Sequence, residues 1–334
     1  MNEPRSGASG RETRRECPRA RLRPKDGDRS KSRWLLLAAV ALVPLSASSC
    51  GRGSGPAPLS ELEELLEVYD YDPDAPLPFA FEPAVEAGGG RAIRFRFRTW
   101  ERESVPGLLV LPAGGSGPHP LVVYFHRSGE DESAALEWAA ALEEIGAACL
   151  SIRQPASRAA GGSAARAEKR RESFRNRRLA VLEARSALDA VAAESFIDPN
   201  RVAAVGAGTG GGPSVVFAAV EPRVRAVVAI SSGASDLNRT IPERAVDQYA
   251  EEARRTIAAI DPLVFAPRIP PRPILAVRGA LDPEVSEASA RAFLEAAGEP
   301  RRLATVEGAA HVIPLADAAA VVSEFLLPVF ARPR

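Results

Sequence analysis

The stretch that most limits what this chain can become is Val202-Ala-Ala-Val205-Gly206-Ala207-Gly208-Thr209-Gly210-Gly211-Gly212. A short apolar run passes through alternating glycines into a segment rich in alanine and valine. That is the pattern of a buried strand, a very tight turn and a helix. Glycine at 206, 208 and 210 lets the backbone double back where a Cβ would crowd the turn. An apolar strand that turns directly into an apolar helix belongs to a layered α/β architecture.

The flanking sequence extends that pattern. Residues 121–125, Leu-Val-Val-Tyr-Phe, form a fully apolar run, as expected of a central parallel strand covered on both faces. Residues 149–152, 224–231, 273–279 and 303–306 read as further strands. Helical patterns lie between them, over about 167–193, 284–297 and 318–325. Residues 91–100 alternate Ile93, Phe95 and Phe97 with Arg94, Arg96 and Arg98, which predicts a half-exposed strand with a solvated arginine face. The expectation is an α/β fold with a mostly parallel central sheet and helices on both faces.

Charge is unevenly placed. Residues 1–33 carry eleven Lys/Arg against five Asp/Glu, and the chain as a whole has a formal charge of zero. The body is therefore mildly acidic, which argues against a nucleic-acid partner. Residues 1–33 read as a basic disordered leader. Residues 34–50 combine an apolar run with small residues ending at Cys50, the parts of a secretory signal. Ala47-Ser-Ser-Cys50 also resembles a lipobox, in which Cys50 would be lipidated and anchor the body to a membrane. The apolar run is shorter than the roughly 20 residues that span a bilayer, and Pro44 interrupts it. Residues 51–59 read as a flexible tether, and residues 60–334 as one domain with a helical insertion around 236–265. The three cysteines Cys17, Cys50 and Cys149 are too scattered for a disulfide framework or a metal site.

The glycine turn, the 121–126 strand ending in His126, Gly279-x-x-Asp282 and Gly308-x-x-His311 fall in an order that resembles the α/β-hydrolase superfamily. The dienelactone hydrolase, acetyl-xylan esterase and prolyl-oligopeptidase-like groups are the most similar. The resemblance covers roughly residues 70–330. It implies that residue 208 corresponds to the nucleophile, Asp282 to the acid and His311 to the general base. Asp282 and His311 both follow parallel strands, where such sheets place a ligand crevice. A carboxylate there can hold the imidazole in the tautomer that accepts a hydroxyl proton.

Two residues depart from the pattern. Gly208 has no side chain with which to attack, and Arg127 stands where the superfamily's other oxyanion loop carries glycine. Thr209 is the residue whose backbone amide the superfamily would use for the oxyanion, and Arg127 would either block that position or bind an anion. Ser214, Ser231 and Ser232 are alternative nucleophiles that the spacing does not exclude.

The sequence therefore predicts an exported protein, secreted or lipid-anchored in the cell envelope. It is expected to lack serine-hydrolase activity and to act by binding a small ester, a peptide or a protein. The alternative is an active ester or peptide hydrolase with a relocated nucleophile, or with water activated by His311 and Asp282. Neither reading calls for a metal or another cofactor.

Overall fold

The computed structural model describes residues 59–72, 77–87, 90–99, 101–115, 117–155, 165–233 and 254–331. The basic leader, the apolar run with Cys50, the tether up to residue 58 and residues 236–253 of the expected insertion lie outside them. From the rest of that insertion, residues 254–258 are helical and Pro262–Phe265 form a short helix.

Ten strands join in one sheet among the described residues. An antiparallel end holds β1 (Phe79–Phe81), β2 (Val85–Ala87), β3 (Gly90–Phe97) and β4 (Val105–Leu111). β4 pairs antiparallel with β6 (Ala148–Ile152). From β6 onward the pairing is parallel, through β5 (His119–Phe125), β7 (Ile197–Ala207), β8 (Val224–Ile230), β9 (Ile274–Gly279) and β10 (Arg301–Val306). The spatial order is β1-β3-β4-β6-β5-β7-β8-β9-β10, with β2 beside β3. The chain runs one way from β5 to β6, then crosses back and builds the other half from β7. Order therefore reverses between β5 and β7, and a crevice opens beyond their carboxyl ends.

Helices cover both faces, because alternate residues of the central strands point to opposite sides. The described helices are α1 (Leu59–Leu66), α2 (Ala134–Ala141), α3 (Ala165–Ala192), α4 (Gly211–Val220), α5 (Pro262–Phe265), α6 (Glu287–Ala297) and α7 (Leu315–Ala331). Leu121, Val123 and Phe125 of β5 pack with Leu188 of α3, Phe217 of α4 and Phe293 of α6. Val122 and Tyr124 pack on the other face with Trp138 of α2 and Val322 and Leu326 of α7. Every residue of β5 is buried, as its unbroken apolar run predicts.

The alternation read from residues 91–100 holds on β3, where Arg94 and Arg96 are exposed while Phe95 and Phe97 are buried. Cys149 is a buried free thiol on β6, and burial raises its pKa. One boundary differs from the pattern. α6 begins at Glu287, not at residue 284, because Asp282 turns the chain first and Ser286 then caps the helix through its side chain on the Ser289 amide.

Candidate active site

The turn after β7 is built by close approach. Ala207 ends the strand in extended conformation, Gly208 adopts φ +50°, and Gly211 is already α-helical. A Cβ at Gly210 would lie 2.1 Å from the Phe125 carbonyl oxygen, and one at Gly206 would lie 2.4 Å from the Gly210 oxygen. The two outer glycines therefore let β5, β7 and the start of α4 converge. Gly208 stands in a more open place. The nearest atom to a Cβ there is the Arg127 Cβ, at 3.3 Å.

Asp282 and His311 are brought together at the ends of β9 and β10. The Ala280 amide donates to Val306 O (2.9 Å) and the Leu281 amide to Ala309 O (2.9 Å), so the two loops run side by side. Gly279 makes that approach feasible, since a Cβ on it would fall 2.2 Å from Ala310 O. Arg278, buried on β9, reaches Val285 O and Ala280 O at 3.4 Å each and braces the turn that carries Asp282.

Asp282 Oδ1 accepts from the amides of Glu284 (2.8 Å) and Val285 (2.9 Å). Burial raises the carboxyl pKa, but those two amides, together with His311, outweigh it and hold the group below the usual carboxylate range. The ionised carboxylate can only accept, so the ring proton of His311 sits on Nδ1. It donates to Oδ2 at 3.0 Å and to Oδ1 at 3.1 Å. Nε2 is left facing the site, with Glu284 Oε2 at 3.7 Å.

The loop after β5 closes the site from the other side. His126 Nε2 accepts from the Gln154 amide (3.1 Å), so Nδ1 carries the proton and donates to Arg127 O (3.0 Å). This bond network sets the loop's position. Arg127 Nε donates to Glu130 Oε1 at 2.6 Å, an ion pair that offsets part of its pull on an anion. The Arg127 amide donates to Glu130 Oε2 (3.3 Å), which also accepts from Tyr124 OH (3.2 Å). The Ser128 amide donates to Thr209 Oγ1 at 2.8 Å, and the two hydroxyls lie 3.1 Å apart. Two amides of this loop are thus satisfied within the chain.

A cavity of about 310 Å³ joins these groups. Gly208, Thr209, Arg127, Ser231 and His311 all line it, and Trp138, Ile230 and Ile313 supply apolar wall. A larger cavity of about 1000 Å³ adjoins it at Arg127, Ser128, Glu130 and Thr209. Its lining includes Arg102, Arg153 and Arg175. These are tied to Glu183, to Asp131 and Glu132, and to Glu101. His311 does not reach that second cavity.

The three serines fare differently. Ser214 is fully buried on α4 and donates to Gly211 O (2.7 Å), with its hydroxyl beneath Gly206. Ser232 packs its side chain against Gly211. Neither lines the cavity that holds His311. Ser231 does, and it is unusual in two ways. It adopts φ +47°, which costs a residue with a Cβ about 1 kcal/mol, and its buried hydroxyl has no hydrogen-bond partner among the described residues. Cys50 lies outside the described residues.

Sequence reasoning missed Glu130, Glu284, Trp138 and Arg278. Glu284 had a signal, being two residues past Asp282. The others are distant in sequence from the dyad or hidden in a strand pattern.

Residues 63–262 match the profile of the family described as acetyl xylan esterase (AXE1). No curated protein sequence matches the chain. Among solved structures, acetyl xylan esterase 1 from Thermoanaerobacterium sp. JW/SL YS485 superposes with a TM-score of 0.64 at 18% identity, covering 84% of this chain and 96% of that one. The acetyl xylan esterase from Paenibacillus sp. R4 gives 0.58 at 17% identity, over 79% and 92% of the two chains. A glucuronoyl esterase from Solibacter usitatus gives 0.56 at 11% identity, over 80% and 91%. The fold is the α/β-hydrolase fold of these esterases.

Proposed function

The chain belongs to the acetyl xylan esterase family, and from that premise we propose that it keeps an esterase-like pocket but binds its ligand there without forming an acyl-enzyme. The observation that carries this reading is Gly208, which occupies the turn between β7 and α4 beside His311 and offers no atom for attack. In a serine esterase, that turn presents the hydroxyl that the histidine deprotonates. The loop amides support the same reading. A tetrahedral intermediate needs free N–H donors beside the nucleophile, whereas Ser128 and Arg127 spend theirs on Thr209 and Glu130. The Asp282–His311 pair then serves to shape and polarise the pocket. Its address, exported and held at the cell envelope through Cys50 or secreted, is read from the sequence of residues 34–50 and belongs to the same proposal.

A hydrolase with a relocated nucleophile has one observation in its favour, the unpartnered hydroxyl of Ser231 in the same cavity as His311. No hydrogen bond joins the two, and activation requires an approach of about 3 Å. The readings separate in a stopped-flow assay with p-nitrophenyl acetate. Non-covalent binding predicts no pre-steady-state burst of nitrophenolate. A burst approaching one equivalent per protein would overturn it.

A further inference from the structure

The pocket has a charge pattern that an esterase site for neutral substrates does not require. Three carboxylates, those of Glu130, Glu137 and Glu284, line the cavity of about 310 Å³. Arg127 also lines it and is bonded to Glu130. Glu137 and Glu284 are exposed, and His311 stands 3.7 Å from Glu284. Even a protonated His311 would leave the lining net negative. The inner wall is apolar, with Ile230, Ile313 and a Trp138 ring whose centroid lies 4.9 Å from that of Tyr124.

An acidic rim alone says little. The second observation is Ser231. The residue is only 5% exposed and lines this cavity, and its hydroxyl has no partner among the described residues. A buried hydroxyl left unpaired is costly, and the residue sits at φ +47° with its amide donating a hydrogen bond to Val277 O (2.7 Å). A turn about its Cα–Cβ bond would bring it to a ligand oxygen in the cavity.

We infer that the pocket takes a small organic cation bearing an ester or alcohol oxygen. The oxygen meets Ser231, the apolar body lies against Ile230 and Ile313, and the ammonium rests at the rim near Glu137 and Glu284. This inference rests on the non-covalent reading above. It excludes anionic ligands, which the rim repels, and it gives Ser231 the role of a binding anchor.

Calorimetric titration of the purified protein with acetylcholine and with its neutral isostere, 3,3-dimethylbutyl acetate, tests it. At low ionic strength acetylcholine should bind about fivefold more tightly, the discrimination that two exposed carboxylates provide. The preference should vanish in the double variant Glu137→Gln, Glu284→Gln, whose altered residues are exposed. Ser231→Ala should weaken both ligands about equally and leave the preference intact. Equal binding of the two compounds, tighter binding of the neutral one, or no binding of either at millimolar concentration would overturn the inference. Stoichiometric transfer of acetate to the protein, with the charge preference intact, would instead overturn the non-covalent reading alone.

Discussion

Replacing Gly210 with alanine should cost the fold about 3 kcal/mol or more, read as a fall in the urea midpoint with an unchanged slope. The reason is steric and has no inexpensive escape. The new Cβ would fall 2.1 Å from the Phe125 oxygen, 2.6 Å from its carbonyl carbon and 2.7 Å from the His126 oxygen. All three are backbone atoms, so relief requires β5 and the elbow to separate. Because the loop after β5 would move with them, the contact from Ser128 to Thr209 should break as well. Gly146→Ala provides the control. It has φ +61° and nothing within 4 Å of its Cβ, so it should cost only about 1 kcal/mol. A small effect at Gly210 would mean that the elbow is not packed as described.

The second effect concerns two positions that crowd each other. Gly208→Ser should cost about 1–2 kcal/mol and react slowly, because φ +50° strains a residue with a Cβ and the new Cβ would lie 3.3 Å from the Arg127 Cβ, a few tenths of an ångström too close. Adding Arg127→Gly removes that contact. The double variant should therefore regain about 1 kcal/mol relative to the sum of the single changes, a coupling that a double-mutant cycle measures directly. It should also react with a fluorophosphonate faster than Gly208→Ser alone, since the new hydroxyl is no longer crowded by the Arg127 side chain. Additive stabilities and equal reaction rates would show that the two departures are unrelated.

That coupling was only half legible in the sequence. The strand–turn–helix signature at 202–212 and the parallel strands follow from apolar runs and glycine spacing, which are local signals, whereas the approach of Asp282 to His311 is implied by the resemblance to the α/β-hydrolase superfamily. Gly208 and Arg127 were visible as separate departures. Their contact was not, because it joins residues at the ends of two strands across the crevice. The same holds for Thr209, whose hydroxyl caps the Ser128 amide from 81 positions away. Arg127 reads in sequence as a charge that blocks the oxyanion position or binds an anion, and its ion pair with Glu130 is not visible there. Of the three serines, only burial and hydrogen bonding distinguish Ser231 from Ser214 and Ser232. The late start of α6 has a local cause, the Asp282 carboxylate turning the amides of Glu284 and Val285 toward itself, but nothing in a hydrophobic pattern marks it.

Mass spectrometry of the intact protein after exposure to a fluorophosphonate probe tests the central claim most directly. Covalent capture requires an activated oxygen within reach of His311. The account predicts an unchanged mass, for the unmodified protein and for His311→Ala alike. A stoichiometric adduct that maps to Ser231 and disappears in His311→Ala would contradict it, and would make this chain a working hydrolase with its nucleophile on β8's exit instead of the elbow.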